Sequence, residues 1–176
     1  LLAGFQALLS RYSGQQDIRV GVPIANRARR ETQGLVGFFV NTQVLKADVD
    51  PQMTFNALVQ QVKKTVQDAQ AHQDLPFEQL VEALKPERSL SHSPLFQVMY
   101  NHQTQVRGES RRLSGLTVEG LSWEGNTTKF DLSLNTFEHS QGIAASLNYA
   151  TDLFDGATIE RLARHWINLL QGIVKA

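Results

Sequence analysis

Val36-Gly37-Phe38-Phe39-Val40-Asn41-Thr42-Gln43 is the stretch on which the reading of this chain turns. The apolar run from Leu35 to Leu45 shows no polar alternation, which predicts a strand over 35–45 covered on both faces. Asn41 and Thr42 interrupt it with two hydrogen-bonding side chains. In so apolar a run they either satisfy strand-end backbone groups or face a polar space.

Working outward, Leu1, Phe5, Leu8, Leu9 and Tyr12 keep helical spacing, and Ser13-Gly14 ends that segment. A strand is expected over 17–23, where Ile18, Val20 and Val22 alternate with Arg19 and Gly21. A loop over 24–34 then carries Arg27, Arg29, Arg30 and Glu31. Thr54 suits the N-cap of a long helix with the stripe Phe55, Leu58, Val59, Val62, Val66 and Ala69. Pro76 suits the first turn of a shorter helix bearing Phe77, Leu80, Val81 and Leu84, closed by Pro86.

Beyond Pro94 the period falls to two, giving strand candidates at 95–101, 116–123, 129–137 and 143–149. The Ser- and Arg-rich 108–115 reads as an exposed linker or hairpin. Asp155 caps a final helix with the face Ile159, Leu162, Ala163, Trp166, Leu169, Leu170 and Ile173. Interleaved helices and strands with a meander-like second half predict one α/β domain over 1–176, a two-layer sandwich with a mixed β-sheet.

Composition narrows the partners. Lys plus Arg and Asp plus Glu both number 17, so the whole-chain field favours neither nucleic acid nor an anionic membrane surface. With no cysteine there are no disulfides, thiolate nucleophiles or cysteine metal sites, which fits a cytoplasmic setting. No apolar run is long enough for a membrane span. The chain opens inside a helical pattern without an initiator Met, which reads as a piece of a longer protein.

Two further blocks follow the first: His72-Gln73-Asp74-Leu75-Pro76-Phe77-Glu78 and Arg88-Ser89-Leu90-Ser91-His92-Ser93-Pro94-Leu95. In this order the three resemble the last three core motifs of the condensation domains of nonribosomal peptide synthetases. Gly37, Phe39, His72, Asp74, Pro76, Phe77, Arg88 and Pro94 are the positions that carry the match. Lys46 stands where the family usually has Arg, and Ser89, His92 and Ser93 replace the usual Asp, Arg and Asn. The Phe-Val-Asn-Thr form favours amide-forming condensation over epimerisation or heterocyclisation.

The resemblance implies a lobe of the chloramphenicol acetyltransferase type, the C-terminal one of two. It implies that the catalytic motif, two histidines followed by three residues and Asp-Gly, belongs to an N-terminal lobe absent here, so this segment holds no catalytic residue and is inactive alone. Between the lobes would run a tunnel for the phosphopantetheine arms of carrier proteins, which act as substrates; no cofactor is bound directly. Asn41 and Thr42 would border it, and 113–128 would hold a loop crossing to the first lobe. Carrier proteins and neighbouring synthetase domains are the implied partners.

Residue chemistry sets simpler readings beside these. Asp131 and Ser133 share one face of the 129–137 strand with Asn135, either a solvated face or the wall of a water-filled channel. Arg27, Arg29 and Arg30 read as a solvated basic loop, or as a contact for an acidic carrier helix or a phosphate. His72 and Asp74 offer too few ligands for a metal, and Ser91-His92-Ser93 has no triad geometry. A non-catalytic module that binds carriers or neighbouring domains is the alternative from another class. A stand-alone acetyltransferase ranks last, because none of the five histidines sits in the required motif.

Overall fold

The computed structural model describes residues 1–86, 93–104, 127–139 and 142–175. Its helices are α1 Leu2–Ser13, α2 Arg30–Gln33, α3 Phe55–Ala71, α4 Phe77–Leu84 and α5 Gly156–Lys175. The strands β1 Asp17–Ile24, β2 Asn41–Asp48, β3 Val98–Thr104, β4 Leu132–His139 and β5 Gly142–Tyr149 form one sheet in the order β2-β1-β3-β4-β5. The outer pairs β1–β2 and β4–β5 are antiparallel; β1–β3 and β3–β4 are parallel. The mixed sheet of the expected α/β sandwich is present.

Helix ends follow local chemistry. Gly14 takes the left-handed conformation at φ 69° that closes α1. Thr54 accepts from the N–H of Ala57 at 3.2 Å to start α3, and Asp155 accepts from Thr158 N–H at 2.7 Å to start α5. That bond to the exposed Asp155 also holds its carboxyl below the ordinary aspartate value. Pro76 is the N-cap of α4, with extended backbone at ψ 141°, rather than a residue of its first turn.

One sheet face is covered by α1, α3 and α5. Phe5, Leu8, Ile18, Val20, Tyr100, Leu132, Leu134, Ile159, Leu162 and Trp166 form the larger core, and Ala3, Ala47, Leu58 and Val62 the smaller. Gln6 is wholly buried in the α1 face, where it donates to the carbonyl of Leu45 at 3.1 Å. On the other face a Cβ at Gly21 would collide with the Phe96 ring. The ring fills the place of that missing side chain and packs on Phe77 and Phe130, with centroids 5.7 and 5.4 Å away.

Three expectations are corrected. The strand begins at Asn41 and runs to Asp48, so 35–40 is not strand. Val36 and Phe38 there point outward, 104% and 89% exposed. The loop after β1 contains the short helix α2. The second half is not a meander, because β3 and β4 are parallel and need a crossover, which the stretch between Thr104 and Leu132 is long enough to make. The candidates at 108–115 and 116–123 lie outside the described residues, as do 113–126 of the expected crossing loop and Arg88.

Candidate functional site

The first two motifs meet at one side chain. Asn41, the first residue of β2, donates from Nδ2 to the carbonyls of Gln73 at 3.2 Å and Leu75 at 2.8 Å. Its Oδ1 accepts from the backbone N–H of Thr42 at 2.9 Å and of Phe77 at 3.1 Å. Two donors and two acceptor sites are the full capacity of a carboxamide, and all four are used. Two positions on, Gln43 donates to the carbonyl of Ala69 near the end of α3. Together β2 side chains fix the turn from α3 into α4. His72 is the C-cap of α3, and Asp74 lies within the clamped turn.

The three arginines of the basic loop are placed differently from one another. Arg27 faces inward: Nη1 donates to the carbonyls of Thr32 and Leu35, Nη2 to that of Gly37 at 3.2 Å. Its guanidinium carbon lies 4.1 Å from the centre of the Phe39 ring, a cation–π contact. Gly37 is pressed against the same ring, where an added Cβ would lie 3.1 Å from Phe39 Cε2. Arg27 therefore braces the loop, because its planar fork matches three carbonyls that a solvent-facing arginine would leave unbound. Arg29, the N-cap of α2, and Arg30 are exposed.

The four expected tunnel residues do not form one constellation. Asn41 and Thr42 pair with Ile24 and Pro23 at the end of β1. Ser133 pairs with Met99 and Asn148 near the start of β4, and Asp131 N–H donates to Gln97 just before that strand. Asn41 and Asp131 are thus about 16 Å apart along the strands and about 14 Å across three strand spacings. Asp131 borders a cavity of about 670 Å³ with Leu9, Tyr12, Arg19, Pro94 and Leu95.

Two polar clusters escaped sequence reading. Asp17 binds Arg19 in a two-pronged pair, and Lys46 bridges to Asp17 at 3.6 Å and Asp48 at 2.9 Å, tying β1 to β2. The hydrogen bond from Arg19 holds the Asp17 carboxyl below its ordinary range, and the one that Lys46 donates to Asp48 raises Lys46. In the second cluster, Thr136 Oγ1, wholly buried, lies 3.2 Å from Tyr100 Oη and 2.8 Å from His102 Nδ1. Burial pushes the Tyr100 phenol up. A lone buried threonine gives no sequence signal, and Asp17 and Lys46 meet only through the pairing of β1 with β2. Among the described residues, no group of three His, Asp or Glu side chains is placed to hold a metal, and no helix is long and apolar enough to cross a membrane.

The comparisons with known proteins fit this geometry. The family model of the condensation domain matches residues 1–176, and the chain belongs to that family. It is 50% identical over 175 residues to a linear gramicidin synthase of Brevibacillus parabrevis, covering 98% of this chain and 2% of the relative. It is 44% identical over 161 residues to malpinin synthetase of Mortierella alpina, covering 92% and 2%.

Among solved structures, holo-AB3403, a four-domain nonribosomal peptide synthetase bound to AMP and glycine, superposes with a TM-score of 0.86 at 25% identity, covering 99% of this chain and 14% of that one. The X-domain from teicoplanin biosynthesis superposes with a TM-score of 0.85 at 28% identity, covering 99% and 40%. The chain therefore spans a small part of its relatives and about two fifths of that X-domain chain. The fold is the chloramphenicol acetyltransferase-like one expected.

Proposed function

We propose that this chain is the C-terminal lobe of a condensation domain that joins a donor acyl or peptidyl group to an acceptor aminoacyl group, both held on phosphopantetheine carrier proteins. The single observation that supports it most is the condensation-domain match along all 176 residues. In the reaction the acceptor amine attacks the donor thioester carbonyl. The C–N bond forms, the C–S bond breaks, and the proton lost by nitrogen ends on the released phosphopantetheine thiol. The histidine that positions the amine or takes its proton sits on the N-terminal lobe.

What this chain contributes is positioning, which is worth several kcal/mol of the barrier when two bound reactants are aligned. Thr42 and Ser133 are assigned to the tunnel wall, and Asn41 acts by holding the motif turn rather than by touching substrate. Arg29 and Arg30 are assigned to carrier contact. Unchanged carrier affinity on reversing both to Glu would remove that assignment. The setting we assign is cytoplasmic.

A second reading has one observation in its favour. The chain also matches the X-domain in its complex with OxyB, with a TM-score of 0.81 at 29% identity. A non-catalytic module that recruits a partner protein is thus the rival. The reading frame upstream of Leu1 separates the two. Two histidines followed by three residues and Asp-Gly support catalysis; a preceding lobe without them leaves the binding module.

A further inference from the structure

The loop 25–40 presents apolar side chains to solvent from a frame held by hydrogen bonds. Leu35 is 54%, Val36 104%, Phe38 89% and Val40 48% exposed. Behind them Arg27 holds three carbonyls and covers Phe39, while Thr32 Oγ1 donates to the Arg29 carbonyl at 2.7 Å. Asn26, at φ 51°, turns the chain into this frame in a left-handed conformation that asparagine tolerates. A loop ordered before binding loses little entropy on docking. Exposed apolar clusters on such a frame mark interaction sites.

We propose that this loop is a preformed plug that seats in an apolar socket on the remaining part of the same condensation domain, with Arg27 as its internal strut. The proposal rests on the half-domain reading above. Size points to this occupant. At roughly 150–200 Å² per fully exposed large side chain, the four residues offer on the order of 500 Å². A free-standing interface needs about 800 Å² per partner, so a second copy would be held poorly. A lobe tethered in the same chain meets the plug at millimolar effective concentration, and a small patch then suffices. The chain accounts for only 40% of the X-domain chain it superposes on, which leaves a remainder large enough to carry the socket.

The absence of cysteine makes the test direct. Val36→Cys and Phe38→Cys are introduced singly, with cysteines of the remaining part replaced by serine, and the rate of thiol labelling is measured. Val174→Cys, at a site 86% exposed on α5, is the reference. In this chain alone, all three label at the rate of a free thiol. In the whole domain, Val36→Cys and Phe38→Cys slow by at least about 100-fold, as for a contact that opens only rarely, while Val174→Cys is unchanged.

Fast labelling of positions 36 and 38 in the whole domain would overturn the plug. Protection already present in this chain alone would assign the cover to its own residues, and protection that grows with concentration would assign it to a second copy; both overturn it. Arg27→Lys keeps the charge but loses the fork, and is expected to speed labelling of Phe38→Cys about tenfold in the whole domain. No change there would remove the strut. Amide formation, measured separately, distinguishes failure of the plug from failure of the catalytic reading.

Discussion

The side-chain oxygen of Asn41 accepts the backbone N–H of Phe77 at 3.1 Å, across 36 positions of sequence. That bond starts α4, because Pro76 as N-cap has no side chain able to accept it. An asparagine from one motif thus does for a distant helix what a neighbouring serine or aspartate usually does. Phe77 in turn places its ring on Phe96.

Asn41→Ala removes all four bonds at once. A loss of about 2–3 kcal/mol is expected, at about 1 kcal/mol per net hydrogen bond with partial replacement by water. Asn41→Asp keeps the acceptors but turns a carboxylate toward the carbonyls of Gln73 and Leu75, so it should cost at least as much. Urea unfolding of the whole domain checks both; wild-type stability in Asn41→Ala would refute the clamp.

Gly21→Ala puts a methyl group into the Phe96 ring and should cost about 1–3 kcal/mol through overpacking. Phe96→Leu in the same chain relieves the clash, so the double variant is more stable than the two single losses added together. Additive losses in a double-mutant cycle would contradict the contact.

Much of this fold was legible because helices carry their own pattern. The stripe of α3, the Asp155 cap and the Gly14 stop depend on residues within a turn or two. The stretch 35–40 was misread for a physical reason. Apolarity predicts burial, but Val36 and Phe38 have no cover among the described residues, so a strand covered on both faces was expected where an exposed loop stands. The parallel pairing of β3 with β4 was illegible because a period-two pattern does not say which way two strands run relative to each other. At the site, Asn41 and Thr42 stood out by polarity, and the strand-end reading of Asn41 matches its bonds. Arg27 was seen as charge, while its role depends on carbonyls and a ring that only the folded loop assembles.

Asp17 supplies the acid-side pH dependence. Its carboxyl is held below the ordinary value of 3.8, chiefly by the bond from Arg19. A depressed folded pKa gives stability that is present above the unfolded value and is lost as pH falls through the folded one. Below about pH 4 this contribution should fade, and Asp17→Asn should flatten that part of the profile. The effect is small and salt-sensitive, because the Asp17 side chain is 40% exposed. Thermal unfolding across the acid range at low and high salt measures it; an unchanged profile in Asp17→Asn would contradict the assignment.

Thr136→Val leaves the buried Tyr100 hydroxyl without its partner and should cost about 1–3 kcal/mol. Adding Tyr100→Phe removes the stranded group, so part of the loss should return. If Tyr100→Phe worsens the Thr136→Val variant by as much as it worsens wild type, the two groups are not coupled.

Mass spectrometry of the acceptor carrier tests the central claim most directly. The whole domain is mixed with a donor carrier bearing an acyl thioester and an acceptor carrier bearing an aminoacyl thioester. The acceptor should gain the mass of the donor acyl group when both lobes are present. It should stay unchanged with residues 1–176 alone, and with the N-terminal lobe alone. No gain with both lobes and an intact histidine pair, or a gain catalysed by this chain by itself, would contradict the account.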